Sequence, residues 1–146
     1  MTGTVKAARW LASAGDDPAG CLREWRTGLQ GVVLLPAGRM WDALVVPEIL
    51  GRSLLTAIAR SGHSAMGPAL RDSRRQELVL LMASGSPPPT RLHRAARYLT
   101  SGRWLAVPDP ARRVTGLSWL LPPDGTGRLF SPTDVYPLLA SHRSAK

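Results

Sequence analysis

Two short apolar runs decide the fold: GRWLAVP at residues 102–108 and GLSWLLPP at residues 116–123. Both are rich in Val, Leu and Trp and both end at proline, a composition typical of β-strands. Because proline cannot donate a hydrogen bond to a sheet, Pro108 and Pro122 mark strand ends. We predict a broad antiparallel hairpin with strands at 104–107 and 117–121, joined by the polar loop 109–116.

Two further hairpins are predicted upstream. The run VVLL at 32–35 is continuously apolar, as in a strand that is covered on both faces. The next strand is predicted at 40–46, and this pair is expected in the centre of the sheet. Another hairpin is predicted from strands 67–72 and 77–82, which are joined by the polar turn 73–76.

Apolar residues spaced three or four apart predict amphipathic helices around these strands. Asp17 followed by Pro18 is a typical helix start, with aspartate as the N-cap and proline at the first helical position. Pro47 and Glu48 begin another helix, and the acid complements the helix dipole. The predicted helices are 4–14, 18–29, 47–61 and 91–99, and a last helix that begins either at Ser131 or at Pro137 and ends at His142.

A chain of 146 residues suits one domain with a substantial core. We therefore predict the α+β class: a single domain, residues 1–146, in which a mainly antiparallel sheet of hairpins packs against helices. No apolar run approaches the roughly 20 residues of a membrane span. The N-terminus lacks the continuous apolar region of a secretion signal. A cytoplasmic protein with no membrane partner is expected.

The charge is strongly basic. Seventeen arginines and two lysines stand against ten acids, which gives a formal net charge of +9. Such a charge favours polyanionic partners, DNA or RNA above all. An arginine-rich, lysine-poor composition is also what a GC-rich coding genome tends to produce, and the sequence supports both explanations equally.

No recognised catalytic motif is present. The chain has no P-loop, dinucleotide-binding fingerprint or nucleophile elbow. Cys21 is the only cysteine, so neither an internal disulfide nor a thiolate metal cluster can form. His63, His93 and His142 lie in unrelated polar surroundings that are typical of surface residues. We predict a protein that is not an enzyme, with no catalytic residue, no metal site and no cofactor.

Several of these stretches together resemble a known family. Residues 71–80 (RDSRRQELVL), then Gly102, then Val107-Pro108 and residues 115–120 (TGLSWL), are similar to the second half of bifunctional DNA primase/polymerase (prim-pol) N-terminal domains. These domains belong to the archaeo-eukaryotic primase group. The resemblance covers about residues 67–123, and small primase-related proteins of GC-rich actinobacteria have a similar layout.

The chain departs from that family at its catalytic positions. Two-metal catalysis needs carboxylates that hold ions about 4 Å apart, which an Asp-x-Asp pattern on one strand supplies. The corresponding strand, 40–46, contains Asp42 alone, and neither Gln76 nor Glu77 is the nucleotide-binding histidine that the family has nearby. The resemblance therefore implies a degenerate, inactive relative that retains a nucleic-acid or partner surface.

The first functional hypothesis is nucleic-acid binding through arginines of the predicted hairpin loops. Loops are where binding residues usually lie, and the guanidinium group matches phosphate geometry. The candidate residues are Arg71, Arg74, Arg75, Arg112 and Arg113. The alternative is that these are solvated loop arginines with no ligand.

The second hypothesis is a protein-interaction or regulatory adaptor. Five tryptophans beside one Phe and two Tyr are an unusual aromatic mixture. If Trp41 or Trp104 is exposed, it would anchor a protein partner or a homodimer; the alternative is that both lie in the core. An active nucleotidyltransferase is the least favoured hypothesis because the paired acids are missing.

Overall fold

The computed structural model describes residues 2–28, 30–62, 66–85, 94–112 and 114–142. Within these residues the chain forms four helices and seven strands. In chain order they are α1 Thr2–Ala12, α2 Pro18–Thr27, β1 Val32–Pro36, β2 Asp42–Pro47, α3 Glu48–Ser61, β3 Ala69–Asp72, β4 Glu77–Met82, β5 Arg97–Leu99, β6 Trp104–Pro108, β7 Leu117–Leu121 and α4 Pro132–Ser141. None of these helices is long and apolar enough to cross a membrane.

The main sheet has five strands in the order β5-β2-β4-β3-β7, and every neighbouring pair is antiparallel. The α+β class is therefore confirmed. The predicted β3–β4 hairpin is also confirmed, since Asp72 lies opposite Glu77 across the turn. Strand β2 is buried along nearly its whole length, as expected for a strand between two others.

Two predicted hairpins are wrong. Strand β6 does not pair with β7; it pairs with β1 in a separate two-stranded sheet, and β7 pairs with β3. Strand β1 likewise does not pair with β2; the turn that contains Gly38 (φ 92°) leads from the two-stranded sheet into the main sheet. Apolar runs bounded by proline and glycine identify strands, but they carry little information about which strand each one pairs with.

The β1–β6 pair tolerates two prolines because of its register. Hydrogen bonds from Ala37 N to Arg103 O (2.9 Å) and from Asp109 N to Gly31 O (3.0 Å) flank the pair. Antiparallel ladders alternate bonded and non-bonded pairs, so this spacing puts Pro36 and Pro108 at non-bonded positions. Neither proline removes a ladder hydrogen bond, and both limit the pairing of further strands at the open edges.

The helices follow the predicted positions with one exception. Asp17 caps α2 by accepting a hydrogen bond from Gly20 N (3.0 Å), and α3 begins at Glu48, directly after Pro47. Helix α4 continues through Pro137. The predicted helix 91–99 is wrong over its last residues, which form the edge strand β5; residues 91–93 lie outside the described residues.

The main sheet lies between two apolar layers because alternate residues of a strand point to opposite faces. Ala43 and Val45 of β2 pack in one cluster with α1, α2 and the β1–β6 pair. Leu44 and Val46 pack in the other, with α3 and α4. Both faces of the main sheet are therefore covered.

Candidate nucleic-acid interface

The β3–β7 pairing brings the two predicted basic loops together at one end of the main sheet. The turn 73–76 leaves β3, and the loop 109–116 enters β7. The loops are joined by a hydrogen bond from Ser73 N to Gly116 O (3.0 Å). Arg74 lies directly over Gly116, where a Cβ atom would be 2.8 Å from Arg74 Nε. The two loops are thus adjacent although the strands β6 and β7 do not pair.

Asp72 shapes the turn 73–76. Its Oδ1 accepts hydrogen bonds from the backbone N–H groups of Arg74 and Arg75, both at 3.1 Å. Gln76 completes the turn in the left-handed region (φ 55°). Aspartate is well suited to this role because its short side chain reaches the backbone two residues further on. The side chains of Arg74 and Arg75 consequently leave a fixed backbone, and both residues are exposed.

A groove of about 500 Å³ runs between the loops. Its lining residues are Gln30, Val32, Asp72, Arg74, Arg112, Val114, Thr115, Gly116 and Leu117. Two arginines and one aspartate therefore line the groove, and one oxygen of that carboxylate already accepts hydrogen bonds from the backbone of the turn. The groove carries a net positive charge and offers unused donors to an anion.

Arg112 is held in place by α2. Its Nη1 donates to the backbone oxygens of Trp25 (2.5 Å) and Gly28 (3.3 Å), at the C-terminal end of that helix. The last carbonyl groups of a helix lack partners within the helix and carry the negative end of its dipole. Since both acceptors are neutral carbonyls, they orient the guanidinium group without cancelling its charge.

Arg71 does not add to this charge. Its Nε forms an ion pair with Glu48 Oε2 (2.9 Å), and the same oxygen also binds Arg52 Nε (2.9 Å). The hydrogen bonds from Arg71 and Arg52 hold the pKa of Glu48 below its usual value. Of the five predicted arginines, the structure thus brings Arg74 and Arg112 to one groove, leaves Arg75 exposed in the adjoining turn and pairs Arg71 elsewhere; Arg113 lies outside the described residues.

The two candidate tryptophan anchors have opposite environments. Trp41 is 0% exposed and lies in the core beside α2 and β1, so the hypothesis that it anchors a partner is wrong. Although Trp41 follows a polar turn in the sequence, its neighbours in the fold are apolar core residues. Trp104, by contrast, is 55% exposed at the start of β6 and remains a candidate.

Asp42, the single acid of its strand, is occupied by neutral donors. It is 2% exposed, its Oδ2 accepts from the Tyr98 hydroxyl (2.6 Å), and its Oδ1 accepts from the Thr100 hydroxyl (2.9 Å). Burial, and then the bond to Asp42, raises the pKa of Tyr98 above its usual value. An aspartate within an apolar strand was a sequence signal for such donors, because a buried acid requires hydrogen bonds. The donors themselves were not identified, because residues 91–99 were predicted to form a helix and not the strand that carries Tyr98.

No group of three or more His, Cys, Asp or Glu side chains in the described part of the chain is placed to hold a metal ion. His142 ends α4 with its Nδ1 2.7 Å from Leu138 O, whereas His63 and His93 lie outside the described residues.

Comparison of the chain with protein-family models, with curated proteins and with solved structures finds no match in any of the three.

Proposed function

We propose that this chain is a non-catalytic, primase-like module that binds nucleic acid through the groove between the turn 73–76 and the loop 109–116. The observation that carries the proposal is the convergence of Arg74 and Arg112 on one groove, although they are far apart in sequence. Both are unpaired with acids among the described residues, while Arg71 and Arg97 are ion-paired to Glu48 and Glu77.

The chemistry of the groove fits a phosphate backbone. Guanidinium groups match phosphate oxygens in planar, two-point hydrogen bonds. The Arg112 side chain is already held by helix carbonyls, so its binding to phosphate would cost little additional side-chain freedom, and the Arg74 side chain extends from a backbone that the turn fixes. A phosphate-directed surface of this kind supplies affinity without reading bases. We therefore propose binding with little sequence preference.

The absence of catalysis is supported by the use of Asp42. Both of its oxygens accept hydrogen bonds from hydroxyl groups, those of Tyr98 and Thr100, and one further acid would be needed for a two-ion site. A metal ion would have to displace Tyr98 and Thr100 from a carboxyl group that is 2% exposed. This supports a binding role in preference to nucleotide transfer.

The test is the salt dependence of affinity for a fluorescein-labelled, nonspecific DNA duplex. Each phosphate contact contributes about −0.9 to the slope of log K against log salt concentration. The triple variant Arg74→Ala, Arg75→Ala, Arg112→Ala should flatten that slope by the equivalent of about two to three phosphate contacts. The matched control removes three exposed arginines outside the groove, Arg23, Arg60 and Arg94, and should change the slope by less than one contact.

Thermal unfolding followed by circular dichroism checks that both triple variants remain folded. A groove variant with the wild-type affinity and slope would eliminate this surface. Equal losses in the groove and control variants would show that net charge, and not the groove, is responsible for binding.

A further inference from the structure

The β1–β6 pair presents an apolar face to the outside. The register places Leu34 opposite Ala106, with Val32 and Trp104 at its two ends, and we call these four residues the ribbon face. Leu34 is 62% exposed and Trp104 is 55% exposed, whereas the opposite face packs into the core through Leu35, Leu105 and Val107. No residue of either strand is charged.

Leu34 and Trp104 are two of the five exposed large apolar side chains of the described residues, with Val5, Met40 and Ile49. Ile49, on α3, is 85% exposed, but a single exposed aliphatic residue is ordinary. On the ribbon face, by contrast, a leucine and a tryptophan lie on the same side of two paired strands. Contiguous apolar surface of this kind marks a site that another molecule covers. Tryptophan is also among the residues enriched at the centres of protein interfaces.

The surroundings of the ribbon face are basic at both ends. Arg103 directly precedes Trp104, is exposed, and takes part in no ion pair within the described residues. At the other end, Val32 lines the groove that contains Arg74 and Arg112. A second copy of this chain would bring like charges together at a shared interface, since the chain carries a formal charge of +9. The charge therefore favours an acidic occupant.

The aliphatic part of the face distinguishes between acidic occupants. Single-stranded nucleic acid binds through successive aromatic rings on which its bases stack. Here the most exposed side chain is Leu34, and Trp104 is the only ring on the face. Leucine beside tryptophan is suited to apolar side chains, which a protein segment supplies. We infer that the ribbon face is the docking site for an acidic, apolar segment of another protein.

In this arrangement the apolar residues of the partner cover Leu34 and Trp104, and its carboxylates face Arg103 and the groove arginines. Because Val32 belongs to both surfaces, a partner that extends to it overlaps the groove. The docking site does not depend on nucleic-acid binding, so peptide binding and DNA binding are tested in separate assays.

The experiment selects peptides from a random library displayed on phage against the full chain, with counter-selection on the variant Leu34→Thr, Trp104→Thr. Threonine retains the β-propensity of both strand positions. The surviving peptides should combine Leu, Ile or aromatic residues with Asp or Glu. In anisotropy titrations of a selected synthetic peptide, each single threonine substitution should weaken binding by about thirtyfold, as for an interface hot spot. Ile49→Thr, the matched control, should leave the affinity unchanged.

A charge exchange tests the acidic character of the partner. Arg103→Glu should weaken binding of the selected peptide, and replacing the peptide's acids by lysine should restore part of that loss. Selection of basic or uncharged peptides would overturn the proposal, as would the survival of no peptide after counter-selection. A dimer in sedimentation experiments that Trp104→Thr dissociates would assign the face to a second copy. A salt-independent loss of oligonucleotide affinity in Trp104→Thr would assign it to nucleic acid.

Discussion

Removing the hydroxyl group of Tyr98 should destabilise the protein more than the loss of one ordinary hydrogen bond. In Tyr98→Phe, Oδ2 of Asp42 loses its 2.6 Å donor while remaining buried, because the ring still covers it. A hydrogen bond to a charged group contributes about 1.5–3 kcal/mol, and an orphaned buried acceptor costs a similar amount. We expect the free energy of unfolding to fall by about 2 kcal/mol, which lowers Tm by roughly 6–8 °C for a domain of this size.

The matched control is Tyr136→Phe. The two tyrosine rings are neighbours, with centroids 6.2 Å apart, but the buried Tyr136 hydroxyl makes no hydrogen bond of good geometry in the described part of the chain, and its polar neighbour is the Tyr98 hydroxyl, which already donates to Asp42. Its removal should therefore change stability by less than about 0.5 kcal/mol. Urea denaturation followed by tryptophan fluorescence measures both variants. A Tyr98→Phe protein as stable as wild type, or equal losses in the two variants, would refute the role given to this hydrogen bond.

Further outcomes are expected from the same structure. Leu54→Asp should abolish cooperative thermal unfolding, because it places an unpaired charge in the fully buried face of α3. Burial, assisted by the charges of Asp109 and Asp17, raises the pKa of Cys21 to about 11, so iodoacetamide at pH 8 should alkylate the folded chain far more slowly than the urea-unfolded chain. Tyr98 retains its proton in the folded state while the unfolded chain ionises above about pH 10; stability in urea should therefore be fully present below that pH and fall above it, and Tyr98→Phe should reduce the fall. No template-dependent nucleotide incorporation is expected with Mg²⁺ or Mn²⁺, and incorporation that Asp42→Ala abolishes would contradict the proposed non-catalytic role.

Features with short-range causes were predictable from the sequence. Asp17 and Pro18 determine where α2 begins, because capping involves only neighbouring residues. The turn 73–76 similarly depends on Asp72 and the residues that follow it. The apolar spacing of α3 also identified its buried face, including Leu54 and Ile58. In each case the decisive interactions lie within about one helical turn or one hairpin.

Features that depend on distant partners were not predictable in the same way. Nothing in the run 104–107 indicates that its partner is β1, because both β1 and β7 are apolar strands of suitable length. The candidate groove was partly predictable, since Arg74 and Arg112 were identified as loop residues. That Glu48 pairs with Arg71, and that α2 holds Arg112, follow only from the assembled fold.

The strand order has a consequence for how the molecule forms during synthesis. Val32 of β1 can pair only after Pro108 of β6 has been synthesised, and Ala69 of β3 can pair with β7 only after Leu121 has been synthesised. Pairings between distant segments slow folding, because the entropy of closing a long loop is lost before the contacts form. The apolar strand β1 therefore emerges long before its partner does. An incomplete chain that ends before β6 exposes this strand to aggregation or to chaperones.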